Sequence, residues 1–556
     1  MKRVIILGGT GAFGERLVRG LMATTDLTLT IVVRDAPRAA ALIASLGAGD
    51  RAEAVAIDAQ ALDAAHLRSF GAFALVDCAG PFQGRDHRLA KAAIEVGLHY
   101  IDLADGREFV AAIGALDAAA RAAGVLVLSG ASSTPALSHA VLDRMLAGWR
   151  RVDTIEVAIA PGNQAPRGLS VMRAILSYCG QPVRVFCDGG WTTRRGWGMT
   201  TRRDIPGLGP RWLSLCETPD LDLIPARHAP RHAALFRAGL ELAPLHLGLL
   251  LLSLPVRLGF PRSLVPFAPL LHRAAGACAR MGTDRGGMLV EARGLDAEGA
   301  PVLARWHLLA EAGSGPAIPT LPALAALRAL AAGRLARRGA TACVGVLDYD
   351  QIAAEFRPFP ITAGFTVTPD PSLFARALGA DFARLPAPIR RLHQPEGRVD
   401  WQGEADIAAP ESGFARLAAW AFGLPRQAGR LPASVAIERF GARERWTRLI
   451  GRYRFRSNLR AGTRAGEVEE RFGPFRFALV LHADAAALRM EARRWWCGPI
   501  PMPRWLMPFG IGEERLDEAG RFRFAVEIRL PGAGRVTRYA GWLRPTPEPR
   551  PEPGKR

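Results

Sequence analysis

Cysteine pairs, metal-ligand spacings and long basic runs are all missing from this sequence of 556 residues. Its seven cysteines are scattered and no CxxC pair occurs, which argues against a disulfide framework or a zinc site and is typical of a reducing cytosol. We therefore expect no metal. Only three of its 72 basic residues are lysine, and no five basic residues follow one another. The net charge of +20 thus reflects an arginine-rich composition, and we expect no nucleic-acid partner.

An uninterrupted apolar stretch of membrane-spanning length is also missing. Residues 240–260 are almost entirely apolar, but Pro244 and Pro255 interrupt them, whereas a spanning helix needs about 20 apolar residues. We expect a buried or interface helix here, and the alternative is peripheral contact with a membrane. Since no signal-peptide pattern opens the chain, the sequence predicts a cytoplasmic protein, with a peripheral position at the inner membrane as the alternative.

Hydrophobic periodicity divides the chain into three domains and a tail. Residues 1–150 alternate short apolar strands with amphipathic helices, which predicts an α/β domain with the doubly wound parallel sheet of a Rossmann fold. Residues 151–355 mix strands and helices and predict an α+β domain. Residues 372–543 contain many short aromatic and β-branched runs, which predict a mainly antiparallel β domain. Residues 544–556 are proline-rich and polar, so we expect a disordered tail.

A glycine motif follows the first apolar strand. The segment Gly9–Gly14 satisfies G-x-G-x-x-G, and it opens an amphipathic helix. In that context the first glycine permits a tight turn, the second lets the backbone approach a pyrophosphate, and the third lets the helix pack on the strand. We expect a dinucleotide to bind through all six residues of the motif, Gly9, Thr10, Gly11, Ala12, Phe13 and Gly14.

The end of the second strand carries arginine where an NAD-binding protein carries an acid. Arg34 stands twenty residues after Gly14, and Arg38 follows one helical turn later. A guanidinium pairs with a 2′-phosphate and offers no acceptor for a ribose hydroxyl. Asp35 is adjacent and is the competing acceptor. We therefore expect NADP(H), with NAD(H) as the less favoured cofactor.

Further contacts are expected where other strands end. Asp58 is placed to accept from the adenine amino group, and a plain turn role fits it equally well. The turn formed by Ala79, Gly80 and Pro81 is expected along the ribose and nicotinamide. Asp102 and Asp105 follow the next strand and are our candidates for the catalytic group that handles the proton. For the other titratable residues of this region, packing or a solvated helix face is the expected role; they include His87, Lys91, His99 and Tyr100.

The sequence resembles the saccharopine dehydrogenase-like oxidoreductases over about its first 350 residues. The shared elements are the GGTGAFG turn, the VVRD segment that contains Arg34, and the run from Asp77 to Asp105. The resemblance implies an NADP-binding Rossmann domain followed by a domain that completes the cleft. The C-terminal domain is similar to a bacterial domain of unknown function, through stretches such as Gly498–Pro501 and Tyr539–Leu543.

Together these patterns predict a bacterial NADP(H)-dependent oxidoreductase that transfers hydride to or from a small-molecule or lipid-like substrate. Two alternatives stay open: a non-enzymatic NADP-binding sensor, and a lipid-binding or membrane-associated protein. For the assembly, the sequence leaves a homodimer open.

Overall fold

The structure is a computed structural model that describes residues 2–166, 168–395 and 397–546. Its contacts divide the chain into two compact units. Unit 1 comprises Met1–Gly299 with Leu303–Thr368, and unit 2 comprises Ala300–Val302 with Pro369–Arg556. The boundary that the sequence predicts after residue 150 therefore lies inside unit 1.

The first 150 residues form parallel strands that alternate with helices. The strands are β1 (Arg3–Leu7), β2 (Thr28–Val33), β3 (Ala52–Ala56), β4 (Ala74–Asp77), β5 (His99–Asp102) and β6 (Leu126–Ser129). The helices are α1 (Gly14–Thr24), α2 (Ala36–Ser45), α3 (Ala64–Ser69), α4 (Arg88–Glu95), α5 (Arg107–Ala112), α6 (Asp117–Ala122) and α7 (Ser138–Met145). The strand order is β6-β5-β4-β1-β2-β3, with all strands parallel. Strands β2 and β3 are added on one side of β1 and the next three on its other side, so the order reverses beside β1. This order confirms the predicted Rossmann fold, which binds its ligands at that reversal.

The rest of unit 1 adds a mixed sheet. Its segment contains the strands β7 (Arg151–Ala160), β8 (Pro182–Cys187), β9 (Gly190–Arg195), β10 (Thr201–Ile205), β11 (Gly209–Leu215), β12 (Ala233–Ala238), β13 (Gly286–Leu295), β14 (Pro301–Ala310), β15 (Gly339–Ala342) and β16 (Ile361–Pro369). Its helices are α8 (Leu169–Tyr178), α9 (Asp220–His228), α10 (Ala243–Arg257), α11 (Ala268–Ala277), α12 (Leu321–Ala331) and α13 (Tyr349–Ala353). Nine of these strands form the mixed sheet, whereas β15 pairs in parallel with β6 and extends the first sheet to seven strands.

Helix α10 occupies most of the apolar stretch 240–260. It is 15 residues long, with Pro244 in its first turn and Pro255 near its end. Within the described ranges, no helix has the length and apolar character that crossing a membrane requires. The helix is not buried all round, since Leu251, Leu252 and Leu254 are exposed.

Unit 2 is built mainly from antiparallel strands, as predicted. The strands are β17 (Arg398–Ala408), β18 (Gly429–Phe440), β19 (Arg443–Ile450), β20 (Tyr453–Ala461), β21 (Glu467–Phe472), β22 (Phe475–Ala483), β23 (Ala487–Cys497), β24 (Ile500–Pro501), β25 (Phe509–Leu516), β26 (Phe522–Leu530) and β27 (Gly534–Pro545). The helices are α14 (Leu373–Leu378), α15 (Ala387–Leu392) and α16 (Gly413–Ala421). Neighbouring strands pair in sequence, and the pairing of β22 with β23 closes the sheet on itself.

The predicted tail begins inside the last strand. Arg544 and Pro545 pair with β17, and the Thr546 amide donates to the Asp400 carbonyl at 2.8 Å. Pairing with a neighbouring strand outweighs the local proline content here. Residues 547–556 lie outside the described part of the chain.

Within unit 1, an ion pair links the first sheet's helices to the mixed-sheet segment. The Arg107 guanidinium, at the start of α5, donates twice to the Asp222 carboxylate of α9, at 2.6 Å each. Its third contact is the Arg184 carbonyl at 2.8 Å. The Arg107 side chain is only 8% exposed, whereas Arg184, which also reaches Asp222, is 61% exposed. We infer that Arg107 carries most of the stabilisation.

We expect Arg107→Met to lower the free energy of unfolding of unit 1 by about 2 kcal/mol, because it leaves Asp222 without its bidentate partner in a poorly hydrated position. The matched variant Arg184→Met is expected to change it by less than about 0.5 kcal/mol, as exposed ion pairs contribute little. Urea denaturation of the full chain measures both values. Equal effects of the two substitutions would contradict this assignment.

Candidate cofactor and active site

Two glycines of the turn between β1 and α1 have no room for a side chain. The Gly8 amide donates to the Val32 carbonyl at 3.0 Å, which sets the turn beside the end of β2. A Cβ atom on Gly9 would lie 2.6 Å from the Ile31 side chain, and one on Gly14 would collide with the Gly8 carbonyl oxygen. These positions therefore require glycine for close packing of α1 on β1 and β2.

The same turn fits a pyrophosphate. Helix α1 begins at Gly14, and among the described residues no side chain caps its N-terminus. The Glu15 amide already donates to the Gly11 carbonyl at 3.0 Å, and the positive end of the helix dipole at this terminus favours an anion. Gly11 is exposed at the tip of the turn, where the missing Cβ lets the backbone come close to a ligand. Thr10, Ala12 and Phe13 are half-buried around it.

Arg34 and Arg38 lie beside this turn, at the carboxyl end of β2. Both are exposed, and within the described residues neither guanidinium pairs with a carboxylate. The competing acid, Asp35, is used as the N-cap of α2 and accepts from the Arg38 amide at 3.1 Å. The local geometry thus leaves two cations available for an anionic group next to the turn.

Asp58 follows β3 and closes a local turn. Its carboxylate accepts from the Gln60 amide at 2.8 Å, and its carbonyl accepts from the Ala61 amide. This is the plain turn role that the sequence left open. The adenine contact stays a prediction.

The segment Ala79–Pro81 forms the facing wall of the turn. A Cβ atom on Gly8 would lie 3.1 Å from the Ala79 side chain, so the two segments are in contact. Arg85, which the sequence analysis missed, holds this wall in place. It donates to the Ala79 carbonyl at 2.7 Å and to the fully buried Asp77 carboxylate at 2.9 Å.

Asp102, the first catalytic candidate, connects two loops. It is fully buried at the end of β5, and one oxygen accepts from the Ala104 amide, the Gly130 amide and the Ser129 hydroxyl at 2.7–3.0 Å. Burial raises the pKa of Asp102 to about 7, although these donors oppose the shift. Its geometry is that of a residue that positions the loops after β5 and β6.

Asp105, the second candidate, lies exposed in the loop between β5 and α5. Its side chain is reached by solvent, yet the surrounding protein desolvates the carboxylate enough to raise its pKa above the ordinary range. Gln83 donates to it at 3.2 Å. Burial raises the pKa values of Tyr178 and Cys216, whose hydroxyl and thiol lie 2.9 Å apart, and the charge of Asp105 adds to both shifts. No local pattern pointed to Tyr178 or Cys216, because they lie far along the chain in the following segment.

A second polar cluster is enclosed behind the loop after β6. His139 and Asp220 are both fully buried, with Nε2 and Oδ1 3.7 Å apart. Among the described residues, neither oxygen of Asp220 has a hydrogen-bond partner, and the same holds for the hydroxyls of Thr134 and Thr218. Burial raises the pKa of Asp220 to about 7 and lowers that of His139 well below its usual value. The two shifts both favour the neutral form of the side chain.

The remaining titratable residues have structural partners or face solvent. His99 accepts from the Leu126 amide at 2.9 Å, and Tyr100 is buried. His87 lies 2.8 Å from the Phe109 carbonyl, so it does not have the solvated role that we expected. Lys91 is exposed.

Two segments of the chain match models of known protein families. Residues 4–128 match the family model of the saccharopine dehydrogenase NADP binding domain, and residues 385–543 match DUF4166, a domain of unknown function. The chain joins these two domains. The segment that the first model matches contains the glycine turn, Arg34 and both aspartate candidates. No curated protein matches this sequence.

Solved structures resemble the chain at low identity. Saccharopine dehydrogenase (L-Glu forming) from Saccharomyces cerevisiae is 14% identical, with a TM-score of 0.48 over 66% of this chain and 100% of that one. A dehydrogenase from Chromobacterium violaceum is 14% identical, with a TM-score of 0.30 over 64% and 92%. The WlbA dehydrogenase from Thermus thermophilus, in complex with NAD and UDP-GlcNAcA, is 14% identical, with a TM-score of 0.30 over 64% and 93%.

We expect Asp220→Asn to become more stable relative to the wild type as the pH rises from about 5 to about 8. The folded protein keeps a proton on Asp220 up to about pH 7, whereas the unfolded chain loses it near pH 4. Between about pH 4 and pH 7, folding therefore takes up a proton at Asp220. The contribution of Asp220 to the stability of the wild type falls as the pH rises through this range, by up to about 1.4 kcal/mol per pH unit. Asparagine carries no such dependence.

The matched variant is Asp222→Asn. Although burial opposes the shift, Arg107 lowers the pKa of Asp222, so its ionisation is complete at both pH values and the stability difference stays flat between them. Urea denaturation at the two pH values measures each difference. A flat difference for Asp220→Asn would refute the raised pKa.

Proposed function

We propose that the protein is an NADP(H)-dependent oxidoreductase that transfers hydride between the nicotinamide and a small or lipid-like organic substrate. The match to an NADP binding domain supports a nicotinamide cofactor and an oxidoreductase. The observation that carries the proposal is the glycine turn, whose shape depends on missing Cβ atoms and whose helix N-terminus has no side-chain cap.

The chain offers a group for each part of the cofactor. The segment Gly9–Gly14 would hold the pyrophosphate with its amides, and Arg34 and Arg38 would pair with a 2′-phosphate. The segment Ala79–Pro81, held by Arg85, would bound the ribose. When bound, the nicotinamide supplies or accepts the hydride.

Asp105 is the group that we assign to proton handling. Its raised pKa keeps a larger protonated fraction near neutral pH than an ordinary aspartate has, which suits an acid that gives a proton to a reacting oxygen or nitrogen. Gln83 orients its carboxyl group. Asp102 is buried and accepts three hydrogen bonds, so we assign it to positioning.

We expect Arg34→Ala to weaken NADPH binding by about tenfold or more while changing NADH binding by less than about twofold, because only NADPH carries the phosphate that a guanidinium binds. Isothermal titration calorimetry with both cofactors measures the two affinities. Arg68→Ala removes an exposed arginine of α3 and serves as the control. An unchanged ratio of the two affinities in Arg34→Ala would refute the assignment.

We expect Asp105→Asn to lower kcat by about a hundredfold, the usual contribution of a general acid, with NADPH affinity unchanged. The variant should also lose the change of kcat with pH that follows the ionisation of Asp105, whose pKa is raised. Oxidation of NADPH with a panel of carbonyl, imine and enoyl compounds provides the assay. Asp26→Asn is the control, since Asp26 is exposed at the amino end of β2, the opposite edge of the sheet. Tight NADPH binding without turnover of any compound would favour a sensor instead.

A further inference from the structure

Helix α10 leaves several large apolar side chains exposed. Its fully buried positions are His246, Ser253 and Val256, Leu249 and Leu250 pack partly buried against the core, and Leu251, Leu252 and Leu254 are exposed. A helix on a water-exposed surface normally buries its apolar stripe and exposes its polar one. The outer face of α10 therefore has the character of a surface that is shielded from water.

This orientation is fixed by specific contacts on the inner face. The His246 ring lies 2.9 Å from the Ser214 hydroxyl, and its carbonyl accepts from the Trp197 indole at 3.2 Å. A Cβ atom on Gly180 would lie 2.7 Å from the Ser253 carbonyl oxygen. Since the packing is this close, α10 cannot rotate to bury its leucines without losing these contacts.

The exposed apolar side chains continue beyond α10 into the connecting loop and α11. We define the apolar surface as Leu251, Leu252, Leu258, Phe260, Phe267 and Leu270, all of which are exposed. Leu258 and Phe260 are 89% and 84% exposed. Large apolar groups that cluster in this way mark an interaction site on a folded protein.

The charged side chains of the sequence segment that carries the apolar surface are all positive. From Leu242 to Thr283 the sequence contains no aspartate or glutamate. Arg262, Arg273 and Arg280 are exposed in this segment, and within the described residues their side chains form no ion pair. The partner must therefore be apolar where the leucines and phenylalanines enter and negative around them.

We propose that α10, α11 and their connecting loop bind the surface of a bilayer that contains anionic phospholipid. The apolar surface enters the boundary between headgroups and acyl chains, and the arginines pair with lipid phosphates. Helix α10 is about 22 Å long, too short to cross the hydrocarbon core of about 30 Å, so the contact is with one leaflet. A soluble protein partner would need a carboxylate opposite each arginine, whereas the phosphates of an anionic bilayer form a continuous negative surface that all three arginines can contact.

Vesicle flotation of the full chain tests this proposal. With vesicles of phosphatidylcholine and phosphatidylglycerol, we expect the wild type to float, and to float far less with phosphatidylcholine alone or at high salt. The variant Leu258→Ser with Phe260→Ser should lower the partition coefficient about tenfold or more through lost apolar contact. Arg273→Glu should lower it about fivefold or more, the effect of about 1 kcal/mol per basic residue.

The matched control substitutes Leu417→Ser and Phe414→Ser, two exposed apolar residues of α16 in unit 2. We expect this variant to float like the wild type. Flotation that is lost only in the α16 variant would overturn the proposal, as would a wild type that stays unbound. The remaining possible occupant is a second copy of the chain, which light scattering detects. If the wild type does not bind vesicles but forms a dimer, and this dimer dissociates in the Leu258→Ser, Phe260→Ser variant, the apolar surface would be assigned to a second copy.

Discussion

The close approach of backbone to backbone at the end of β1 is the constraint on which the account depends. Gly9 and Gly14 have no space for a Cβ atom, and Gly8 touches the segment after β4. Because these contacts bring α1, β2 and β4 together, they place the helix N-terminus, Arg34 and the Ala79–Pro81 wall around one crevice. Each of these features is ordinary by itself. Their convergence at the reversal of strand order is the basis for our proposal that the crevice binds a dinucleotide.

Buried acids give this region its electrostatic character. Asp77, Asp102 and Asp220 are all fully buried, and burial raises the pKa of each. Asp77 pairs with Arg85 and Asp102 accepts three hydrogen bonds, so both have structural partners. Asp105 differs because solvent reaches it while the protein still raises its pKa. That combination is why we propose Asp105, and neither Asp77 nor Asp102, as the group that exchanges protons.

Local patterns predicted what local forces determine. The six strands and the glycine turn were visible in the sequence because hydrophobic periodicity and backbone freedom are properties of neighbouring residues. Strand β15 was not predicted, since Gly339–Ala342 is short and its residues are small, and it forms only by pairing with β6. Asp220 and Arg107 were missed because their roles depend on partners about 80 and 115 residues away. Which side of α10 packs was not predicted, because contacts of His246 and Ser253 decide it.

NADPH fluorescence, titrated with the wild type and with Gly11→Val, decides whether the turn binds a dinucleotide, because the added side chain would occupy the place of the pyrophosphate at the exposed tip of the turn. We expect the wild type to bind NADPH and Gly11→Val to bind it about a hundredfold more weakly or not at all, with an unchanged thermal unfolding temperature. Equal binding by both proteins, or no binding by the wild type, would contradict the proposed site.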